Sequence, residues 1–456
     1  IDYSDELIDF DFSTNIINAN IGMLGLTSVE NNTLSGNITT KLRGSNIKDL
    51  IGDVSFSDFI YFSGVNTYNF DELLAQSRIN NDKRFYSINS PDALSGIIIG
   101  DLNFLQLPDI LAKHVLASYK NFDSSSYSYD EVSFNLNLKP KIASVLNSEI
   151  LIDENTFIRG NFNEDKSYEF ILTSPFLKAK EFSLKNINVK INDNTGYFKS
   201  SDFQSNFFDG KDLMIITSLK DDNTDFDINF NSKNGANHIN FRHTIDKNQR
   251  SLFSFSKISF DYNNNKWELD ESFSYDKNKF VVSNNYTELK STKLRSENQV
   301  IEFRYLNNKD QFDFESIFEN VGFSSLIPKP KNILYEGLIN GKIVLNKVGD
   351  FYTSQSGIII NDFSANGYLL GDAFVKIDNS VLRDKYDLDI KINKNGSNIF
   401  NADGSFRIDS EDYPITLNVS SNNFEIKPFS AIGENVLQNF EGYFNSKFTV
   451  TGSFKQ

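Results

Sequence analysis

The chain has 456 residues and a formal net charge of -16, from 61 acidic and 45 basic residues. This balance excludes a basic surface of the kind that neutralises nucleic-acid phosphates. The absence of cysteine excludes disulfides and thiolate metal sites. Apolar residues make up 39%, below the roughly 45–50% usual in globular proteins, yet 43 residues are phenylalanine. The apolar surface is therefore limited in amount and rich in aromatic rings.

Apolar and polar residues alternate in short runs along nearly the whole chain. Strict alternation places all the apolar side chains on one face of a strand. Clusters of Asn and Asp separate the runs at intervals of about 8–15 residues, as turns do. The pattern predicts a nearly all-β, mostly antiparallel chain, because strands buried on both faces are apolar throughout. Representative runs are residues 132–138, 226–230, 386–392 and 448–454.

Helical patterns are few. Residues 108–119 carry an apolar stripe at helical spacing behind an N-terminal proline, and residues 430–440 carry a similar stripe. Residues 316–321 form a shorter candidate. The sequence therefore predicts two or three short helices, each a connector or a lid on the sheet.

Domain boundaries are not visible in the sequence, because no Pro/Ser/Gly-rich linker interrupts the pattern. Residues 335–345 align with residues 440–450, and each copy opens with an aromatic residue, Glu and Gly before an alternating strand. We therefore expect residues 1–456 to form one continuous elongated segment of a larger protein, with repeat-like units near 335–350 and 440–455.

Three all-β architectures fit the alternation. A sandwich would pack the apolar face against a second sheet. An outer-membrane barrel would turn that face to lipid, but the runs are shorter than the roughly 9–11 residues such strands need. A long curled sheet would leave the apolar face open as a groove, which is typical of a ligand site.

Catalytic groups are sparse. The three histidines are His114, which stands alone, and His238 and His243, which are five residues apart and so lie on opposite faces of a strand. The sequence contains no glycine-rich phosphate loop and no nucleophile elbow. We predict that the chain is not an enzyme and binds no cofactor or metal.

The succession of motifs resembles the TamB branch of the AsmA-like proteins of Gram-negative envelopes. The resemblance rests on residues 34–38, 42–44, 49–52 and 88–94 in the first part of the chain, followed by the 108–119 segment. In the C-terminal third it rests on residues 357–375, 401–408, 423–430 and 439–445. In residues 121–330 only the general pattern of alternating strands matches, without specific motifs.

The resemblance implies a bridge-like lipid-transfer protein of the translocation and assembly module type. Such a protein has an elongated curled β-sheet groove (a β-taco), is anchored in the inner membrane and docks on an outer-membrane Omp85-class, TamA-like barrel. We therefore expect this chain to carry phospholipid acyl chains across the periplasm, with its anchor outside the segment.

The residues expected to line the groove are the alternating apolar ones, whose role is to solvate acyl chains. They are Phe134, Leu136, Leu138, Phe226, Ile228, Phe230, Phe253, Phe255, Leu388, Ile390, Ile392, Ile415, Leu417, Val419, Phe448 and Val450.

Two other functions stay open at this point. A periplasmic assembly factor could use the same face or its strand edges to hold outer-membrane or secreted β-protein clients. A purely structural surface protein would close the apolar face into a dry core.

Overall fold

The computed structural model describes residues 8–23, 31–45, 50–80, 83–100, 131–165, 167–206, 209–220, 223–270, 278–326, 333–348, 351–379, 385–407, 414–430 and 441–453. These residues form 28 strands and two short α-helices, and the strand ladders between them are antiparallel. The prediction of an all-β, antiparallel chain is confirmed. Contacts between residues group into two units, Ile1–Lys233 and Asn234–Gln456. The absence of a firm internal boundary stays a prediction.

In the first unit, consecutive strands form hairpins, except that β7 pairs with β9, and β8 and β9 both pair with β10. Helix α1 (Pro140–Leu146) follows β7. The strands are β1 (Ile8–Asn20), β2 (Thr33–Gly44), β3 (Ile51–Phe62), β4 (Thr67–Asn80), β5 (Lys83–Ser90), β6 (Leu94–Ile99), β7 (Val132–Leu138), β8 (Ile150–Ile152), β9 (Thr156–Phe162), β10 (Tyr168–Ala179), β11 (Phe182–Asn192), β12 (Thr195–Gln204), β13 (Asp209–Lys220) and β14 (Asn223–Ser232).

In the second unit, β17 and β18 both pair with β16 and with β19, and the later strands follow one another as hairpins. Helix α2 (Phe323–Leu326) and a 3₁₀ turn (Lys427–Phe429) lie between strands. The strands are β15 (Gly235–Ile245), β16 (Ser251–Tyr262), β17 (Asn265–Leu269), β18 (Lys279–Ser283), β19 (Tyr286–Ser296), β20 (Gln299–Asn308), β21 (Phe312–Gly322), β22 (Tyr335–Val348), β23 (Phe351–Ala365), β24 (Tyr368–Asn379), β25 (Lys385–Lys394), β26 (Ser397–Arg407), β27 (Pro414–Glu425) and β28 (Tyr443–Ser453).

A recurring β-bulge explains many of the Asn and Asp residues inside strands. At four of the bulges the extra residue is an Asn or Asp with a positive φ, which these two residue types tolerate better than most. Its backbone N–H donates to a side-chain oxygen of the residue facing the bulge. The pairs are Asn18 with Ser35, Asn320 with Asn340, Asp362 with Asp372 and Asn423 with Asn445.

The two repeat-like units share a backbone conformation. Gly337 has φ +140° and Gly442 has φ +124°, a region that side chains with a Cβ disfavour. Each glycine stands where the chain enters a strand, β22 or β28. The aromatic-Glu-Gly pattern therefore places a glycine with a positive φ at or close to the start of a strand in both copies.

The helix predictions have mixed outcomes. The helix at residues 316–321 is wrong, because these residues belong to β21 and pair on both sides, with β20 and β22. Residues 108–119 and 431–440 lie outside the described residues. Helix α1 was not predicted; Lys141 near its N-terminus contacts Asp92, and the Tyr68 hydroxyl donates to the Ser144 carbonyl at 2.8 Å.

Candidate functional site

In the first unit, the strand registers align uncharged residues, nearly all of them apolar, into a continuous row. Residues directly opposite each other in an antiparallel pair lie on the same face, so the register can be followed from strand to strand. One row takes a residue from each of β1–β7 and β9–β14, twelve steps of about 4.8 Å, or on the order of 58 Å. It contains Phe12, Thr40, Val54, Ala75, Ile88, Gly96, Leu136, Ile158, Leu172, Val189, Phe198, Ile215 and Ile228.

The second unit contains a row of the same kind. It takes one residue from β17 and one from each of β19–β28, and none of them is polar or charged. The row contains Leu269, Leu294, Ile301, Phe318, Gly341, Ile358, Val375, Ile390, Ala402, Val419 and Phe448. The face of each unit that carries its row is called the apolar face below.

Side chains of the apolar face pack into clusters, and each cluster draws its residues from strands that are neighbours in the ladder. In the first unit, Ile98, Phe134 and Phe162 are at most 3% exposed and belong to one cluster drawn from β5–β7 and β9–β11. The Phe134 and Phe162 rings stack with centroids 6.0 Å apart. In the second unit, a cluster from β17 and β20–β26 includes Trp267 and Ile392. Neighbouring strands thus supply one another's packing partners.

All sixteen predicted lining residues lie on the apolar face of their unit. Ile228, Ile390, Val419 and Phe448 belong to the rows above, as does Leu136. The others occupy adjacent positions on the same face and are Phe134, Leu138, Phe226, Phe230, Phe253, Phe255, Leu388, Ile392, Ile415, Leu417 and Val450. Their role in solvating acyl chains stays a prediction.

Exposure of the predicted lining residues varies along the ladder. Phe134, Leu136, Ile392 and Val419 are buried. Phe448 and Val450 on β28 are 45% and 42% exposed. The rest are half-buried: Leu138, Phe226, Ile228, Phe230, Phe253, Phe255, Leu388, Ile390, Ile415 and Leu417. Most of the predicted lining therefore keeps some solvent-accessible apolar surface.

Small hydroxyl residues interrupt the apolar face without bringing charge to it. Ser356, opposite Ile377, is 7% exposed and its hydroxyl donates to the Val344 carbonyl at 3.2 Å. Because this hydroxyl is bonded to the backbone, it costs little when buried.

The opposite face is polar. On β25 its residues are Asp387, Asp389 and Lys391, and Asp389 contacts Lys391. A depression of about 850 Å³ over β24–β27 is lined mostly by this face. Two further depressions of about 590 and 470 Å³ also have many charged lining residues. Of the sixteen predicted lining residues, only Leu388 contributes to any of these three depressions.

The two histidines that the structure describes are not arranged for catalysis or metal binding. His243 faces Phe253 with ring centroids 5.0 Å apart, and burial lowers the pKa of its imidazole. His238 pairs with Ser259 on the other face, as predicted. Within the described ranges, no group of three or more His, Asp or Glu side chains could hold a metal ion. His114 lies outside the described residues.

Many residues of the apolar face were not among the predicted lining residues. Ile88 and Ile98 on β5 and β6 lie beside Leu136 and Phe134, and Ile358 and Val375 lie beside Ile390. Alternation in residues 83–90 could have identified Ile88. It could not have shown that Arg84, on the same face of β5, is only 7% exposed.

Comparison with known proteins finds no matching family model, no matching curated protein and no matching solved structure. Among the helices that the structure describes, none is long and apolar enough to cross a membrane.

Proposed function

We propose that this chain is part of a bridge-like lipid-transfer protein and that its apolar faces carry the acyl chains of phospholipids. The observation that carries the proposal is the pair of uncharged rows, which cross the ladder of each unit from strand to strand. A single buried binding pocket would instead interrupt the lining with converging polar groups.

The energetics of lipid movement favour such a lining. Each CH₂ group removed from water contributes roughly 0.8 kcal/mol, so a lipid that leaves an apolar surface loses many kcal/mol at once. A face on which nearly every step from one strand to the next meets another apolar side chain, and none meets a charge, keeps this loss small. The half-buried side chains, such as Ile390 and Leu417, offer the surface that an acyl chain would cover.

The resemblance to the TamB branch supplies the cellular setting of the proposal. The segment would lie in the periplasm of the cell envelope, with an inner-membrane anchor elsewhere in the protein and an Omp85-class, TamA-like barrel as its outer-membrane partner. It would perform no covalent chemistry. The polar opposite face, with charged pairs such as Lys376–Asp378, would face solvent.

The test is to purify the full chain from a Gram-negative host and to identify what is bound to it by mass spectrometry after solvent extraction. We expect phospholipid, in amounts that fall when a charge is placed on the apolar face. Peptide bound instead of lipid would favour the assembly-factor function, and a protein with neither would contradict both.

A further inference from the structure

Arg84 is a charged residue that borders the apolar face of the first unit. It lies near the start of β5, opposite Ile79 of β4, and Tyr86 and Ile88 follow it on the same face. Arg84 is only 7% exposed. Its guanidinium brings a full positive charge to this position.

The contacts of the Arg84 guanidinium leave its charge uncompensated. Nη1 donates to the Leu50 carbonyl at 3.1 Å, and Cζ lies 6.0 Å from the centroid of the Tyr86 ring. Nε has no hydrogen-bond partner. No carboxylate of the described residues forms an ion pair with it. A buried and unpaired charge is strongly unfavourable, so an anion close to Nε would stabilise the protein.

A second unsatisfied donor lies beside Arg84. Ser77 on β4 is 8% exposed, and its Oγ has no hydrogen-bond partner. Ser77 is opposite Tyr86 and two residues from Ile79, so it is the diagonal neighbour of Arg84 on the same face. Diagonal neighbours are about 7–8 Å apart. One bound oxyanion can bridge this separation, because the arginine side chain is long enough to reach towards Ser77.

We propose that Arg84 and Ser77 form an oxyanion site for the head group of an anionic amphiphile. Its chain lies on half-buried side chains of the same face, those of Val54, Ala75 and Tyr86. A phosphate or carboxylate offers several acceptor oxygens, which suit a guanidinium edge and a hydroxyl. The inference rests on the proposed function and adds a preference for anionic lipids at this end of β4 and β5.

The test uses isothermal titration of the full chain with molecules that share a twelve-carbon chain and differ in the head group. Dodecyl phosphate and dodecanoate carry an oxyanion, dodecanol does not, and inorganic phosphate carries no chain. We expect dodecyl phosphate or dodecanoate to bind at least tenfold more tightly than dodecanol. The stronger of the two identifies the head group.

Arg84→Gln should reduce that affinity to the level of dodecanol and leave dodecanol binding unchanged, and Ser77→Ala should reduce it about threefold. Arg159→Gln is the matched control, because Arg159 is exposed on the opposite face of β9. Arg84→Met should also raise the melting temperature of the ligand-free protein.

Equal affinities of the wild-type protein for the three amphiphiles would overturn the oxyanion site and leave the apolar face in place. An unchanged preference in Arg84→Gln, or a clear drop in the melting temperature of Arg84→Met, would also overturn it. If none of the three amphiphiles binds, both the oxyanion site and the proposed function fail.

Discussion

Ile390 on β25 lies directly opposite Ala402 on β26, and both side chains belong to the row that crosses the second unit. Ala402 is 4% exposed, whereas Ile390 is half-buried. The apolar surface of Ile390 is therefore available to a bound chain at a position where the strand itself is well packed.

Ile390→Asp should reduce the lipid bound per protein molecule at least tenfold. A carboxylate in an apolar track costs several kcal/mol, and about 1.4 kcal/mol already corresponds to tenfold in affinity. Quantitative mass spectrometry of extracted lipid measures the effect. The control is Thr416→Asp, which adds the same charge on the exposed opposite face of β27. Equal loss in both variants would contradict the assignment of the face.

Gly96→Ala should destabilise the first unit by more than about 2 kcal/mol. Gly96 has φ +151°, and an added Cβ would lie 2.1 Å from the Asn135 carbonyl oxygen, so β6 and β7 would have to separate. Thermal unfolding followed by circular dichroism measures the change. Gly357→Ala is the control, since nothing lies within 4 Å of its added Cβ, and its effect should stay within about 1 kcal/mol.

Asn340→Ala should loosen the bulge in β21. The Asn320 N–H donates to Asn340 Oδ1 at 2.9 Å, and loss of this acceptor should cost about 0.5–1.5 kcal/mol. Hydrogen exchange at the Asn320 amide should accelerate by up to roughly tenfold, since about 1.4 kcal/mol is a factor of ten. Asn340→Asp keeps a carboxyl oxygen at this position and should exchange as slowly as the wild type. Acceleration in both variants would show that the bond does not hold the bulge.

His243 should make the stability of the second unit depend on pH. Burial lowers the pKa of the His243 imidazole below its ordinary value of 6.5, so the unfolded chain binds the proton more readily. The contribution of the neutral His243 side chain to the free energy of unfolding is complete above about pH 6.5. It is lost as the pH falls through that value towards the folded-state pKa. Urea unfolding of wild type and His243→Phe between pH 5 and 8 measures it. In the variant, the free energy of unfolding should depend less on pH over this range. An unchanged pH dependence would contradict the prediction.

Sequence periodicity predicted which side chains share a face, because alternation is a local property of a strand. Phe134, Leu136 and Leu138 lie together on β7 for that reason. The rows that join strands depend on register, which the bulges shift by one residue at points such as Asn320, and these shifts are not visible in a hydropathy pattern. Neighbours such as Ile390 and Ala402 could therefore not be paired in advance.

Two differences between the sequence pattern and the structure have a physical cause. Phe318 and Val321 are three residues apart, which matches a helix, but the bulge in β21 places them on the same face of a strand. The burial of Arg84 depends on strands that surround it in three dimensions, and a charged residue next to Lys83 at a turn reads as exposed.

The most direct test of the lipid track is photocrosslinking in living cells from two adjacent positions on β27. Leu417 is half-buried on the apolar face and Asn418 is exposed on the polar face. With p-benzoylphenylalanine at each position, we expect phospholipid adducts, detected by mass spectrometry of the purified protein, from position 417 and not from position 418. Equal labelling of the two positions, or protein adducts alone at position 417, would contradict it.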